Sequence, residues 1–279
     1  MRNIFIILFS IFTITAYSQS NFQGNAVYMS KTSMDMNFGG RQMSEDQKKQ
    51  IMERMKGFLE KTFVLNFNQT ESTYNEEAKL SAPGGQDGGR FGGMMSFGSG
   101  LKYKNTKEGI VLEESEFFGK QFLISDSGTK PDWKLEAETK KIGEYICYKA
   151  TLVKEVDAFS IAAFGRRGNN NNDAAEKKDE TPKTMIVTAW YTPQIPVSQG
   201  PGEYWGLPGL ILEVNAGTTT VLCTEITMNP EEKVTLKMPK KGEKVTREEY
   251  NKIVKKKTDE MREQFRGRGG NRGGGRGRG

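Results

Sequence analysis

The sequence contains no histidine, and only two cysteines, Cys147 and Cys223, in 279 residues. Without an imidazole there is no Ser-His-Asp or Cys-His relay, and the commonest zinc and copper(II) ligand is missing. Two thiols are too few for a disulfide framework or a cysteine-rich metal site, although they leave room for a single bridge. Apolar residues make up only 35% of the chain, and the one long apolar run, Ile4 to Ile14, is too short to cross a bilayer. The formal net charge is +6, but Arg266, Arg268, Arg272, Arg276 and Arg278 lie in the tail and Arg2 at the start. The rest of the chain is therefore close to neutral and offers no basic groove, which disfavours nucleic acid as a partner.

Several segments are set apart by composition. Met1 to Ser18 has a basic start, the apolar run and an Ala16-x-Ser18 ending, the pattern of a cleaved secretory signal with Gln19 as the mature first residue. No cysteine follows for a lipid anchor, and no transmembrane helix is expected in the mature chain. Residues 82–100 mix eight glycines with Phe91, Met94, Met95 and Phe97 and read as a mobile loop. Residues 165–182, with four successive asparagines, read as an insertion that cannot pack, and 266–279 as a disordered Arg/Gly-rich tail. What remains within 19–265 is long enough for a single β domain. Thioethers at Met34, Met36, Met43, Met94 and Met95 suit Cu(I). They lack a repeated Met-x-x-Met array, so adaptable apolar contact is the better reading and no cofactor is expected.

Most of the remainder alternates with the period of strands. Gly24 to Ser30, Phe63 to Phe67, Glu71 to Asn75, Leu101 to Asn105, Ile110 to Phe118, Gln121 to Ser125, Lys134 to Thr139 and Tyr145 to Val156 are expected strands, several joined by turn-forming residues. Glu113, Glu114 and Glu116 are candidates for paired carboxylates, but alternation places Glu113 opposite the other two, and a solvated face is expected. Two helices are predicted. One starts at Ser44, with Gln47 in capping-box spacing and Ile51, Met52, Met55, Phe58 and Leu59 on the face laid across the sheet. The other starts at Thr246, with Glu249 closing the box, a Val245–Tyr250 staple, and a stripe of Tyr250, Ile253, Val254, Met261 and Phe265.

The chain is organised around 183–227. Strands at Thr184 to Tyr191, Leu210 to Asn215 and Thr219 to Thr227 frame a loop, 192–208, with four prolines and three glycines, a shaped segment and not a linker. Pro208 keeps Leu207 extended. Gly206 and Gly209 bracket it where a side chain would clash or φ must be positive, and Trp205 and Leu207 are placed to plug one end of the sheet. If the strands near 145, 184, 210 and 219 are sequential neighbours, Cys147 and Cys223 lie three strands apart. That is roughly 14 Å at ~4.8 Å per strand, beyond the ~7 Å a bridge tolerates, so separate thiols are expected.

Ala189-Trp190-Tyr191-Thr192, Ile195-Pro196-Val197, Gly200-Pro201, Tyr204 and Gly206-Leu207-Pro208-Gly209-Leu210-Ile211 together resemble the GLPGLI family. So do Trp133 to Leu135, Lys141 to Gly143, Tyr145, Cys147 and Lys149-Ala150 upstream. The resemblance is specific over 133–215 and weaker over 24–74. It implies a Gram-negative envelope compartment and a fold, and supplies no catalytic residues.

These readings converge on an α+β fold: a large curved antiparallel sheet of nine to eleven strands, a half-barrel like that of lipoprotein carriers, with the first helix packed on it and a C-terminal helix. The expected function is that of a non-enzymatic periplasmic binding or assembly factor for an apolar ligand or an outer-membrane protein partner. Met94, Met95, Phe97, Trp190 and Trp205 are the candidate contacts, and Gly206 to Ile211 shapes the fold. Two alternatives stay open: an Arg/Gly-tail binder of lipopolysaccharide or nucleic acid, and a purely structural domain.

Overall fold

The computed structural model describes residues 22–33, 44–77, 99–155, 184–232 and 234–269. The expected signal segment, residues 82–98 of the expected Gly/Met/Phe loop, the Asn-rich insertion and the tail beyond 269 lie outside the described residues, while Ser99 and Gly100, expected in that loop, open a strand instead.

Twelve strands form one open sheet: β1 (Gln23–Thr32), β2 (Glu60–Asn68), β3 (Glu71–Glu76), β4 (Ser99–Asn105), β5 (Ile110–Phe117), β6 (Lys120–Ser127), β7 (Lys134–Ile142), β8 (Tyr145–Glu155), β9 (Thr184–Thr192), β10 (Leu210–Ala216), β11 (Thr219–Met228) and β12 (Glu243–Thr246). The order is β12-β6-β5-β4-β3-β2-β1-β11-β10-β9-β8-β7. Short hairpins account for five of the eleven neighbour pairs, β2–β3, β4–β5, β5–β6, β7–β8 and β10–β11. The pairing of β1 with β11 joins the N-terminal and C-terminal halves in the middle. All pairings are antiparallel except β12 on β6, which is parallel. This last strand was not expected: four residues in a lysine-rich stretch carry too little pattern to announce it.

One face of the sheet is the interior. The cross-strand row Val245, Ile124, Glu113, Lys102, Tyr74, Leu65, Ala26 runs through seven strands, and all but Lys102 are buried. The next row on the same face, two residues along, holds Asp126, Val111, Lys104, Ser72, Phe67 and Gly24. A Cβ on Gly24 would fall 2.6 Å from the Phe67 ring, so a bare backbone here makes room for the aromatic.

The expected helices are α1 (Glu45–Leu59) and α2 (Arg247–Gly269). Ser44 and Gln47 form the reciprocal capping box at the start of α1, and Thr246 and Glu249 do the same for α2. α1 meets the sheet through its last turn: Leu59 is buried, Ile51 and Met55 are half-buried, and Met52 is exposed. It does not lie across the interior face. α2 packs Tyr250 and Val254 onto Phe117, Phe122, Ile124 and Val245, with Ile253 at the margin. It runs to Gly269, four residues into the segment whose composition reads as tail.

The segment after β9, residues 193–209, here termed the plug, packs against both faces of the strand it leaves, since Trp190 and Tyr191 are successive on β9 and belong to different clusters. Ile195, Val197, Leu210 and Leu212 join Ala26, Tyr28, Leu65, Phe67, Tyr74, Trp190 and both cysteines in one cluster. Leu207 and Ile211 join Ala150, Val187, Ala189, Tyr191 and Val214 in a second. The plug satisfies much of its own backbone, with Gly206 N donating to Ser198 O and Leu210 N to Ile195 O. Gly206 sits at φ +91°, and a Cβ on Gly209 would lie 2.2 Å from the carbonyl oxygen of Thr192. Both expectations for these glycines hold.

Cys147 on β8 and Cys223 on β11 are free, three positions apart in the sheet as expected. Burial raises the Cys147 thiol to about 11 and the Cys223 thiol to about 12, so both are inert apolar side chains at neutral pH.

Candidate functional site

The interior face is apolar except toward the β12 edge, where alternation on three neighbouring strands turns ionisable residues inward. Lys102 and Lys104 come from β4, Glu113 from β5 and Asp126 from β6. Above them the plug supplies Gln199, the carbonyls of Gly200 and Gly202, and Glu203. The first residue of α2 supplies Arg247, and β8 supplies Lys154.

Arg247 is the hub. Its Nη2 donates to Glu113 Oε2 at 2.6 Å and its Nε to Asp126 Oδ2 at 2.9 Å. Lys102 stands 3.4 Å from the same Glu113 oxygen. Burial pushes the Glu113 carboxyl up, but Lys102 and Arg247 outweigh it and hold it below the ordinary carboxylate range. Glu203 pairs with Lys154. It is likewise raised by burial and drawn further down, by Lys154 first and then by Lys102 and Arg247. The hydroxyl of Tyr28, buried on β1, donates to Ile211 O at 2.7 Å.

Lys104 is 2% exposed. Its Nζ donates to Gly200 O at 2.8 Å and Gly202 O at 3.1 Å. Its cross-strand neighbour Ser72 donates to Gln199 Oε1 at 2.7 Å. These contacts also report the curvature of the sheet. Gly202 is held by β4 while the adjacent Glu203 is held by β8, seven positions away in strand order. A flat sheet would separate those strands by about 34 Å at ~4.8 Å per step, so the sheet curls around the plug as a half-barrel.

The sequence-predicted contacts fall elsewhere. Trp190 is buried with Lys140 over its ring, and Lys140 also binds Glu213. Trp205 is buried, its carbonyl accepting from Trp133 Nε1 at 2.8 Å. Neither ring offers a binding surface. Met94, Met95 and Phe97 lie outside the described residues. The solvated face expected for the glutamates of β5 does not apply to Glu113, which is buried in the ionic centre. Sequence reasoning missed Lys102, Lys104, Asp126 and Arg247. Alternation on β4 and β5 was the available signal, since it puts Lys102, Lys104 and Glu113 on faces that register could bring together.

The face of β8 and β9 that carries Ala150 and Tyr191, opposite that of Cys147 and Trp190, extends past the plug. Tyr148 and Ile146 share a face of β8 with Ala150, which packs under Leu207, and Leu135 on the edge strand β7 pairs with Ala150. Leu135 and Ile146 are each 55% exposed and Tyr148 39%. The Tyr148 ring lies 6.1 Å from that of Tyr191. Lys141, the cross-strand neighbour of Ile146, is exposed beside them.

Residues 133–213 match a family model described as a protein of unknown function, Porph_ging. No curated protein matches the chain. Among solved structures, two crystal forms of PNGF-II share 15% and 16% identity with it at TM-scores of 0.45 and 0.46. They cover 84% of this chain, which spans only about a third of theirs (32% and 33%). LprF from Mycobacterium bovis aligns over 84% of this chain and 96% of its own at 7% identity and a TM-score of 0.23. These likenesses are too low to carry an argument.

Proposed function

We propose that this is an exported, non-enzymatic binding or assembly factor of the cell envelope, and that it receives an apolar segment of a partner protein on the strip Leu135, Ile146 and Tyr148. The observation that carries the reading is the apolar face of Ala150 and Tyr191, which continues beyond Leu207 of the plug onto the free edge of the sheet. A small apolar ligand would need an enclosed site, and the middle of this face is filled by Leu207 and Ile211. What is left is a shallow strip at an edge, a shape suited to an extended segment, and Lys141 beside Ile146 favours an acidic flank on it. The carboxylates of the ionic centre are each engaged in fastening the plug or α2, which supports a structural role for them over acid–base chemistry. The signal pattern of Met1 to Ser18 and the GLPGLI resemblance support export.

The test is anisotropy of a labelled eight-residue peptide of alternating Leu and Thr ending in Asp. The double variant Leu135→Asp/Ile146→Asp should bind it at least tenfold more weakly, with a melting temperature close to wild type because both side chains are exposed. Equal binding by the two proteins would remove the strip from consideration. Replacing Met94 and Met95 by Ser tests in the same assay whether the Gly/Met/Phe loop contributes.

A further inference from the structure

One buried amine holds two of the plug's carbonyls. Lys104 Nζ is enclosed by protein, gives two hydrogen bonds to the plug carbonyls of Gly200 and Gly202, and has no carboxylate within ion-pair distance among the described residues. An ammonium carries three protons and accepts nothing, whereas a neutral amine has two N–H donors and one lone pair. The two carbonyls use two donors. Beside them, on the residue preceding Gly200, Gln199 Nε2 is a buried donor with no acceptor, its own oxygen being taken by Ser72. A neutral Lys104 keeps both carbonyl bonds and adds an acceptor in the part of the core where the Gln199 amide lacks one. A protonated Lys104 removes that acceptor and places a full charge among dipoles, which is costly in a dry interior.

We propose that neutral Lys104 seats the plug and that protonation of this amine loosens it, lengthening the exposed apolar strip toward Ala150, Ala189 and Tyr191. The charged groups around Lys104 are Lys102 on its own strand, Glu113 on β5, Asp126 on β6, Glu203 on the plug, Lys154 on β8 and Arg247 on α2. The carboxylates of Glu113 and Asp126 are committed to Arg247, and that of Glu203 to Lys154. Burial, and then Lys102, lower the amine from 10.5 to about 7, while Glu203 works weakly the other way. Because the closed-state value lies below that of a solvated lysine, the opened plug holds more protons between those two values. Opening therefore grows as pH falls from 10.5 to about 7, by up to roughly tenfold per pH unit, and levels off below. The consequence for partner binding rests on the function proposed above; the seating of the plug does not.

Hydrogen exchange of the amides in 199–211, corrected for intrinsic rates, tests the seat. In the wild-type protein their protection should rise with pH between 7 and 9.5 by up to tenfold per unit and be flat between 5.5 and 6.5. In Lys104→Met it should be flat throughout. Wild-type protection independent of pH above 7, or an unchanged slope in the variant, would overturn the proposal. Should the variant not fold, 13Cε-lysine NMR of the wild-type protein decides: one lysine must titrate far below the others, and none doing so refutes the neutral seat. If exchange behaves as expected but peptide affinity does not follow it, the docking strip falls and the seat stands.

Discussion

Replacing Glu113 by Ala should detach α2 from the sheet more effectively than any other single change in the ionic centre. The carboxylate is 8% exposed and accepts from Arg247 at 2.6 Å, with Lys102 at 3.4 Å. Removing one partner of a buried pair costs about 3–5 kcal/mol, because the other charge stays behind without compensation. Two features reduce the figure here: Arg247 keeps Asp126, and its side chain is 32% exposed, so solvent screens part of the loss. About 2–3 kcal/mol remains, which lowers Tm by roughly 4–12 °C for a protein of this size. Urea unfolding of wild type, Glu113→Ala, Arg247→Ala and the double variant would yield a coupling energy of about 1–3 kcal/mol. The pH dependence follows from the direction of the shift. A carboxyl held below its unfolded value of about 4.3 contributes its full stability above that value and loses it as pH falls through the lower, folded one. The difference between wild type and variant should thus be constant from pH 7 to 5 and shrink below about 4. A cost under ~0.5 kcal/mol with no coupling, well below what a buried pair entails, would refute the view that this pair fastens α2.

Three further outcomes are expected. Gly209→Ala should prevent folding or cost several kcal/mol, since its Cβ would sit 2.2 Å from a backbone oxygen that cannot yield, whereas Gly57→Ala, with open space around it, should be neutral or mildly stabilising; circular dichroism melts compare the two. Alkylation of the mature protein should label neither Cys147 nor Cys223 until denaturant is added and both afterwards, without prior reductant; a need for reductant would show a bridge. Mass spectrometry of the exported protein should find Gln19 as its first residue, and retention of Ile4 would contradict the signal reading.

The sequence by itself determined the local elements and the shape of the central loop. Alternation in Phe63 to Phe67 and Lys134 to Thr139, the Ser44/Gln47 and Thr246/Glu249 boxes, and Gly206 and Gly209 around Pro208 are short-range constraints. They act through residues a few positions apart, so they are legible without the rest of the chain. Alternation also showed that Glu113 faces away from Glu114 and Glu116, but a strand's period names a side and not the neighbours on it. Those neighbours were decided by register and curl. Lys102 stands opposite Glu113 because β4 pairs with β5 in that register. Arg247 arrives from 134 residues further along the chain. Lys104 meets Gly200 only because the sheet bends far enough to wrap the segment between β9 and β10. The same bending explains why the plug, and not α1, covers the interior: a loop anchored at both ends in adjacent strands is already over that face, while α1 touches it through one turn. Long-range pairing and curvature emerge from the whole sheet at once, so the buried amine of β4 reads in sequence as one more lysine in a polar strand.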